Sequence, residues 1–583
     1  MLFRVVDAEI GSKRALAGIA VPDKIRNAQL ALGERFDVAW RSAGKPLRMA
    51  LSLRSLAPER LLISPQDIRT ADPTVAADIY AGYFAFAGKM VNTHGRSVFE
   101  LTPPSPAWAA PLVSFVWLRH LRAADTALAR ANARALVEDF LTLASANPVL
   151  PIWEPKVAAR RLLSWLSQSP MILEDADRAF YRRFMKALGR HAIKLQNALS
   201  DGLRGEARLL VVIALAELGL CAAGVGNLPR RSTRLLADEL ARQIFPDGGH
   251  IGRNPQMLIE LLLDLLPLRQ AYTARGLAAP QELLNAIDRM LPMLRLFRHG
   301  DGSLALFNGM GVTPPHMIAT VLAYDDARAV ALANAPYSGY QRLEASGAVL
   351  VMDTGAPPPS QFSERAHAGQ LSFEFSSDGQ NIVGNCGAPD EMRAAARLAA
   401  RSTAAHSTIV VADTSSSRFA PESGIGRWLK GRIISGPKQV PVSRDHNETG
   451  PGLSASHDGY LVEFGLVHER ALRLSADGTQ LIGRDNLSAH GDKVADAPYA
   501  VRFHLHPTVR AICADDGLSV GLVLPDGAQW LFHADGMPVQ IEPSVYFAVP
   551  EGMRGAEQIV VHASLSQATG INWVFERTQA APV

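Results

Sequence analysis

Two spacings of apolar residues divide this chain near residue 336. Before that point, Tyr181, Phe184, Met185, Leu188, Ala192, Leu195 and Leu199 recur every three to four positions and share one helix face. Ser200-Asp201-Gly202 then supplies a stop and a turn. The same period predicts helices at about 76–91, 108–121, 125–145, 155–168, 205–221, 231–244, 256–275 and 280–298, with Pro267 expected to kink or end its helix. Short helices on short loops suit a bundle, solenoid or toroid, and no clean repeat demands a regular solenoid.

Beyond 336 the period becomes two. Leu371, Phe373 and Phe375 alternate with Ser372 and Glu374, then Asp378-Gly379 precedes Asn381-Ile382-Val383, which reads as strand, turn, strand. Asp-Gly recurs at 458–459, 477–478, 516–517, 526–527 and 535–536, between strand-like runs at 460–466, 518–524 and 530–533. Many short strands with regular turns predict a large antiparallel sandwich. The Ser/Pro/Gly-rich stretch 413–452 reads as a long loop or pair of loops. The expected division is an N-terminal extension (1–75), a helical domain (76–336) and a sandwich (337–583).

The length of 583 residues requires more than one core. Three cysteines, Cys221, Cys386 and Cys513, give neither a disulfide framework nor a CxxC metal pair. No run of 18 apolar residues is present, so no membrane-spanning helix is expected. Asp7, Glu9, Lys13 and Arg14 interrupt the start, so residues 1–20 do not read as an export signal and the expected address is the cytoplasm. A true start upstream of Met1 would reopen a periplasmic one. The net charge of +3 conceals an asymmetry: residues 1–336 hold 40 Lys+Arg against 30 Asp+Glu, the remainder 19 against 26. A basic half can attract an acidic polymer through its field. Solvated helix faces give the same count, and Arg160-Arg161 and Arg182-Arg183 fit either reading. No nucleic-acid motif accompanies the charge, so a nucleic-acid partner is not expected.

Ten of sixteen histidines follow residue 336, including His367, His406, His457, His468, His504 and His506. His504 and His506 share a strand face, a weak metal signal because a hydrogen-bonded structural histidine is commoner. Phosphate-loop, zincin, serine-hydrolase and dinucleotide fingerprints are absent from the sequence. Trp117, Trp153 and Trp165 could stack on sugar rings but lie in or beside apolar helices, which favours core packing.

An ordered set of segments carries a resemblance: 81–88, Phe115-Val116-Trp117-Leu118-Arg119, Trp153-Glu154-Pro155 with 160–165, Pro246-Asp247-Gly248-Gly249-His250, Asp301-Gly302-Ser303, 366–375, Ala405-His406-Ser407-Thr408 and His457-Asp458-Gly459-Tyr460. Over nearly its whole length the chain resembles the heparinase II/III superfamily of polysaccharide lyases. The resemblance implies an α/α toroid (an incomplete helical barrel) followed by an antiparallel β-sandwich, in agreement with the periodicity. It also implies β-elimination on an acidic, uronic-acid-containing glycan. That reaction needs a cation or metal at the uronate carboxylate, a base for the adjacent C5 proton and an acid for the leaving oxygen.

The family's His-x-His-x-Asp stretch falls on residues 365–369, keeping His367 but placing Arg365 where the catalytic histidine stands. The family's zinc ligands fall on His367, Asn385 and His406, with neutral Asn385 a poorer ligand than a carboxylate. The Ser-Pro-x-Tyr segment falls on Asn254-Pro255-Gln256-Met257, and Met257 cannot exchange a proton. The segment that carries the family's catalytic Asn falls on 201–208, which has none. Arg204, Arg208, Arg253 and Arg365 are then the candidates for holding a uronate carboxylate. His250, His457 and Tyr460, with His367 and His406, are the candidates for proton transfer. Two functions follow as expectations. One is a polysaccharide lyase. The other is a non-catalytic acidic-glycan-binding protein on the lyase scaffold, motivated by Met257, Arg365 and Asn385.

Overall fold

The computed structural model describes residues 28–30, 32–33, 58–312, 315–325, 330–389, 394–421, 424–490 and 496–581. Most of the N-terminal extension, including the 1–20 segment read for an export signal, lies outside them.

The helical part is built from hairpins. Pro155–Ser167 returns along Arg178–Ser200, Glu206–Cys221 along Leu228–Gln243, and Pro255–Ala274 along Gln281–Leu296. The first partners form an inner layer, with Glu206–Cys221 packed between Pro155–Ser167 and Pro255–Ala274. The sequence dictates this layering. Residues 209–221 are apolar apart from Glu217, and all of them but Leu210 are buried, Glu217 included, as a helix with almost no water-facing side must be. Leu228–Gln243 and Gln281–Leu296 bury one stripe each and belong outside. Since every outer helix reverses the chain, the inner helices run parallel and their N-terminal ends gather at one end of the toroid. Asp67 and Arg69, from the extension, close part of the interior by meeting Arg119, Glu260 and Asp264.

Among the described residues the sandwich has a nine-stranded and an eight-stranded antiparallel sheet. The nine-stranded sheet runs Gln540–Val549, Gly552–Ser564, Pro498–Leu505, Gln380–Gly384, Phe373–Ser377, Ala348–Asp353, Tyr340–Ala345 and Asn334–Ala335, with Ile409–Val411 also paired to Pro498–Leu505. Phe373, Phe375, Phe503, Trp530, Phe532, Trp573 and Phe575 fill the space between the sheets, each worth about 1.5–3 kcal/mol by burial. Beneath them His457 Nε2–H donates to His468 Nδ1, His468 Nε2–H donates to Asp485, and Arg470 and Trp573 donate to the same carboxylate.

The seam between toroid and sandwich is polar and specific. Arg253 sits before the Pro255–Ala274 helix, in the left-handed region at φ 60°. Its guanidinium donates to the carbonyls of Ser338, Gly339, Gly355 and Ala356 and to the Asp353 carboxylate, and lies 4.8 Å over the Tyr340 ring. Asp247 accepts from the backbone N–H groups of Tyr337 and Ser338.

Several sequence expectations are corrected here. The 76–91 stretch is a helix only over Thr74–Tyr80, and Tyr83–Phe86 and Lys89–Asn92 form a hairpin. The 108–121 helix breaks at Phe115, which is left-handed (φ 58°), into Pro106–Ser114 and Leu118–Ala124. Pro267 does not end its helix, which continues to Ala274. Tyr460 opens a helical turn, Leu461–Phe464, rather than a strand. The 413–452 stretch carries short strands Arg418–Phe419, Ile433–Ser435 and Val442–Asn447.

Candidate functional site

The N-terminal ends of the inner helices meet the sandwich segment 360–367, and the groups gathered at this junction form the candidate cleft. Gly205, at φ 67°, abuts the Gln361 carbonyl, leaving no room for a side chain. Lys156 and Glu206 begin two inner helices and form an ion pair across them at 3.0 Å. Asn254 caps the third by accepting from the Gln256 N–H at 2.9 Å. The positive ends of three helix dipoles thus converge here, an arrangement that favours anions. Asn254 Nδ2 is buried without a hydrogen-bond partner, next to Gly309 and the Arg365 backbone. Burial would raise the Glu206 carboxyl, but Lys156, His250 and Arg365 together hold it below the usual range. Arg365 is exposed. Trp153, in the turn leading into the Pro155–Ser167 helix, is 38% exposed, with the Lys194 ammonium 5.5 Å from its ring.

The acid–base candidates sit differently. His250 is buried: its Nε2–H donates to Gln243 Oε1 at 3.2 Å and its Nδ1 accepts from the Gly252 N–H at 3.0 Å. Burial pushes it down to about 4. His367 Nδ1–H donates to His406 Nε2 at 3.0 Å, because His406 spends its Nδ1–H on the Ser402 carbonyl at 2.8 Å. A Cβ at Gly369 would fall 2.7 Å from the His406 ring, so only glycine lets the imidazole lie there. Burial drives His406 down to about 4, and burial with the neighbouring His406 and Arg401 drives His367 well below its usual range. His457 belongs to the buried chain ending at Asp485. Tyr460 is fully buried in the sandwich core, where its hydroxyl donates to the Ile409 carbonyl at 2.9 Å. Neither His457 nor Tyr460 is placed with the cleft groups.

A zinc ion needs a lone pair from each ligand. The unprotonated nitrogen of His406 already accepts from His367. Asn385 Oδ1 accepts from the Ser407 N–H at 3.1 Å, and its Nδ2 donates to Glu374 at 3.0 Å. As arranged, His367 and His406 are bonded to each other and Asn385 to Glu374 and Ser407, a set that does not fit a metal. His504 and His506 also part company: His504 bonds to Ser544 and Ala404, His506 to Thr508.

The four arginine candidates divide too. Arg253 spends its guanidinium on the seam, so it is a structural clamp and not a substrate ligand. Arg208 pairs with the buried Glu239. Arg204 and Arg365 are exposed, and Arg365 is the one whose charge reaches Glu206. Sequence reasoning passed over Lys156, Lys194, Glu206 and Asn254. The available signal was positional: each of Lys156, Glu206 and Asn254 lies within two residues of a helix start.

Residues 327–574 match the family "Heparinase II/III-like, C-terminal". A curated relative, FtsZ-localized protein C of Caulobacter vibrioides (strain NA1000 / CB15N), is 32% identical over 98% of this chain and 100% of its own. The fold is shared with heparinase III (TM-score 0.67, 12% identity, 97% of this chain and 93% of that one) and with heparan sulfate lyase HepC from Pedobacter heparinus (TM-score 0.60, 15% identity, 96% and 91%). With its toroid, its sandwich and its C-terminal match in hand, the chain belongs to the heparinase II/III-like superfamily.

Proposed function

We propose that this protein binds an acidic, uronate-bearing polysaccharide or oligosaccharide in the cleft without cleaving it. The observation that carries the reading is a contrast. Lys156 and Arg365 act on Glu206 where three helix N-termini converge, suited to a carboxylate, and Trp153, exposed in the turn before one of those helices with Lys194 beside its ring, is suited to a sugar face. The groups offered for proton transfer, His250, His367, His406, His457 and Tyr460, are instead buried and hydrogen-bonded. Incubation with heparan, chondroitin, hyaluronan, alginate and polygalacturonate, followed by ultraviolet absorbance and calorimetry, tests it. Salt-sensitive binding with flat absorbance is expected. Rising absorbance, from the unsaturated uronate that β-elimination leaves, overturns it in favour of a lyase. No binding to any polymer removes the glycan from either reading.

One observation favours the lyase reading: Glu206 is held ionised beside Lys156 and Arg365. A carboxylate there could take the C5 proton while the cations hold the uronate. The relative's name supports an address for this chain with FtsZ at the division site. A fluorescent fusion that stays diffuse in cells with intact FtsZ rings would refute that address.

A further inference from the structure

We propose a second binding site, on the outer face of the nine-stranded sheet, for a small neutral molecule with an apolar body and an N–H or O–H donor at one end. Strand alternation builds it. Phe503, Leu505, Ile559 and Val561 point into the sandwich core, so His504 and Gln558, paired across Pro498–Leu505 and Gly552–Ser564, point outward. Ser544 joins them from the edge strand Gln540–Val549. Segment 402–405 and the helix Ala394–Arg401 roof this face and leave an open pocket of about 300 Å³. That volume lies at the small end of ligand sites, which run from about 300 to 1,000 Å³. Ala399, Ala400, Ala405, Val545 and Phe547 supply its apolar wall.

The polar end has a fixed hydrogen-bond sense. The Ala404 carbonyl can only accept, so His504 carries its proton on Nε2, 3.0 Å away. His504 Nδ1 is then bare and receives the Ser544 hydroxyl proton at 2.7 Å. Ser544 Oγ is left with lone pairs. Gln558 donates its Nε2 to the Pro543 carbonyl, and its Oε1 is buried with no partner, although the residue is only 7% exposed. A buried acceptor without a donor is destabilising, and a ligand's N–H or O–H would satisfy it. Cys386 Sγ stands 3.6 Å from His504 Nδ1, and burial pushes its thiol up to about 11, so this end carries no thiolate. The Ser544–His504 pair has the form of a nucleophile and its base. Burial, however, takes His504 down to about 3, too weak a base to activate a hydroxyl, so the site is one of recognition.

N-phenyl-1-naphthylamine, a neutral fluorophore with two aromatic groups and one N–H, is the probe. Titrated into the full chain, it should give a saturable one-to-one rise in fluorescence. Ala399→Trp, at an exposed rim position, should abolish the signal by filling the pocket. Gln558→Leu should weaken binding about tenfold, the loss of roughly one hydrogen bond to a buried acceptor. Ala399→Trp leaves the core untouched and carries the test even if Gln558→Leu lowers stability, which circular dichroism would report. An unsaturable signal, or one that survives Ala399→Trp, overturns the site. Full affinity in a folded Gln558→Leu overturns the donor chemistry assigned to its ligand.

Discussion

At the scale of single residues, the buried histidines make stability depend on pH in a defined direction. His250 and His406 lie near 4 and His504 near 3, each lowered chiefly by burial, whereas an unfolded histidine titrates near 6.5. Between those values the unfolded chain holds the extra proton, so stability rises with pH and is lost as pH falls from about 6.5 towards 4. Each histidine contributes a slope approaching about 1.4 kcal/mol per pH unit within that window. Thermal unfolding followed from pH 7.5 to 4.5 should show a flat midpoint above 7 and a steep decline below 6. Replacing His406 with Gln should flatten part of that decline, and an unchanged slope would mean that His406 titrates normally in the fold. The buried Asp485 is held low by Arg470 and His468 against its own burial. Asp485→Ala strands Arg470 without a counter-charge and should cost about 3–5 kcal/mol in urea unfolding.

At the scale of elements, the Arg253 clamp ties the loop before an inner helix to two turns of the sandwich. Removing it leaves the Asp353 carboxylate, which also accepts from Asn308, buried beside unpaired carbonyls. Arg253→Met should therefore destabilise by about 3–5 kcal/mol and turn one unfolding transition into two, visible by calorimetry. A single unshifted transition would show that the apolar contacts hold the seam alone. The elements were legible where the period was long: 178–200 and 206–221 were read within a few residues, and 371–383 was read as a hairpin on its Asp378-Gly379 turn, both residues of which have positive φ. They were misread where a run was short. Tyr83–Phe86 joins Lys89–Asn92 through a two-residue turn at Ala87 and Gly88, and so few apolar residues satisfy either period. Tyr460 was read as strand because nothing local says that its hydroxyl must reach the Ile409 carbonyl. The cleft was legible only as basic sequence and family positions. Lys156, Glu206, Asn254 and Arg365 come from four segments, and only tertiary packing sets their distances.

At the scale of the whole molecule, the basic first half and the converging helix ends both favour the anionic ligand of the proposed function. Glu206 is the exception, a carboxylate placed where the ligand's carboxylate would sit, and it separates the two functions by sign. If the protein only binds, Glu206→Gln removes a like charge and frees Lys156, so affinity for an acidic glycan should rise severalfold while absorbance stays flat. If the protein cleaves, the same substitution removes the base, and turnover should fall at least 100-fold (~10²–10⁴ for a general base) with binding kept. Lys156→Ala should act oppositely on binding, lowering affinity about tenfold by deleting a cation and unmasking Glu206. That loss should shrink as ionic strength rises, since the half-exposed Lys156 ammonium is screened over about 10 Å at 0.1 M salt. Calorimetry of the three proteins at two salt concentrations reads the affinities, and ultraviolet absorbance reads the turnover. Equal affinities throughout would take the anion site out of the cleft.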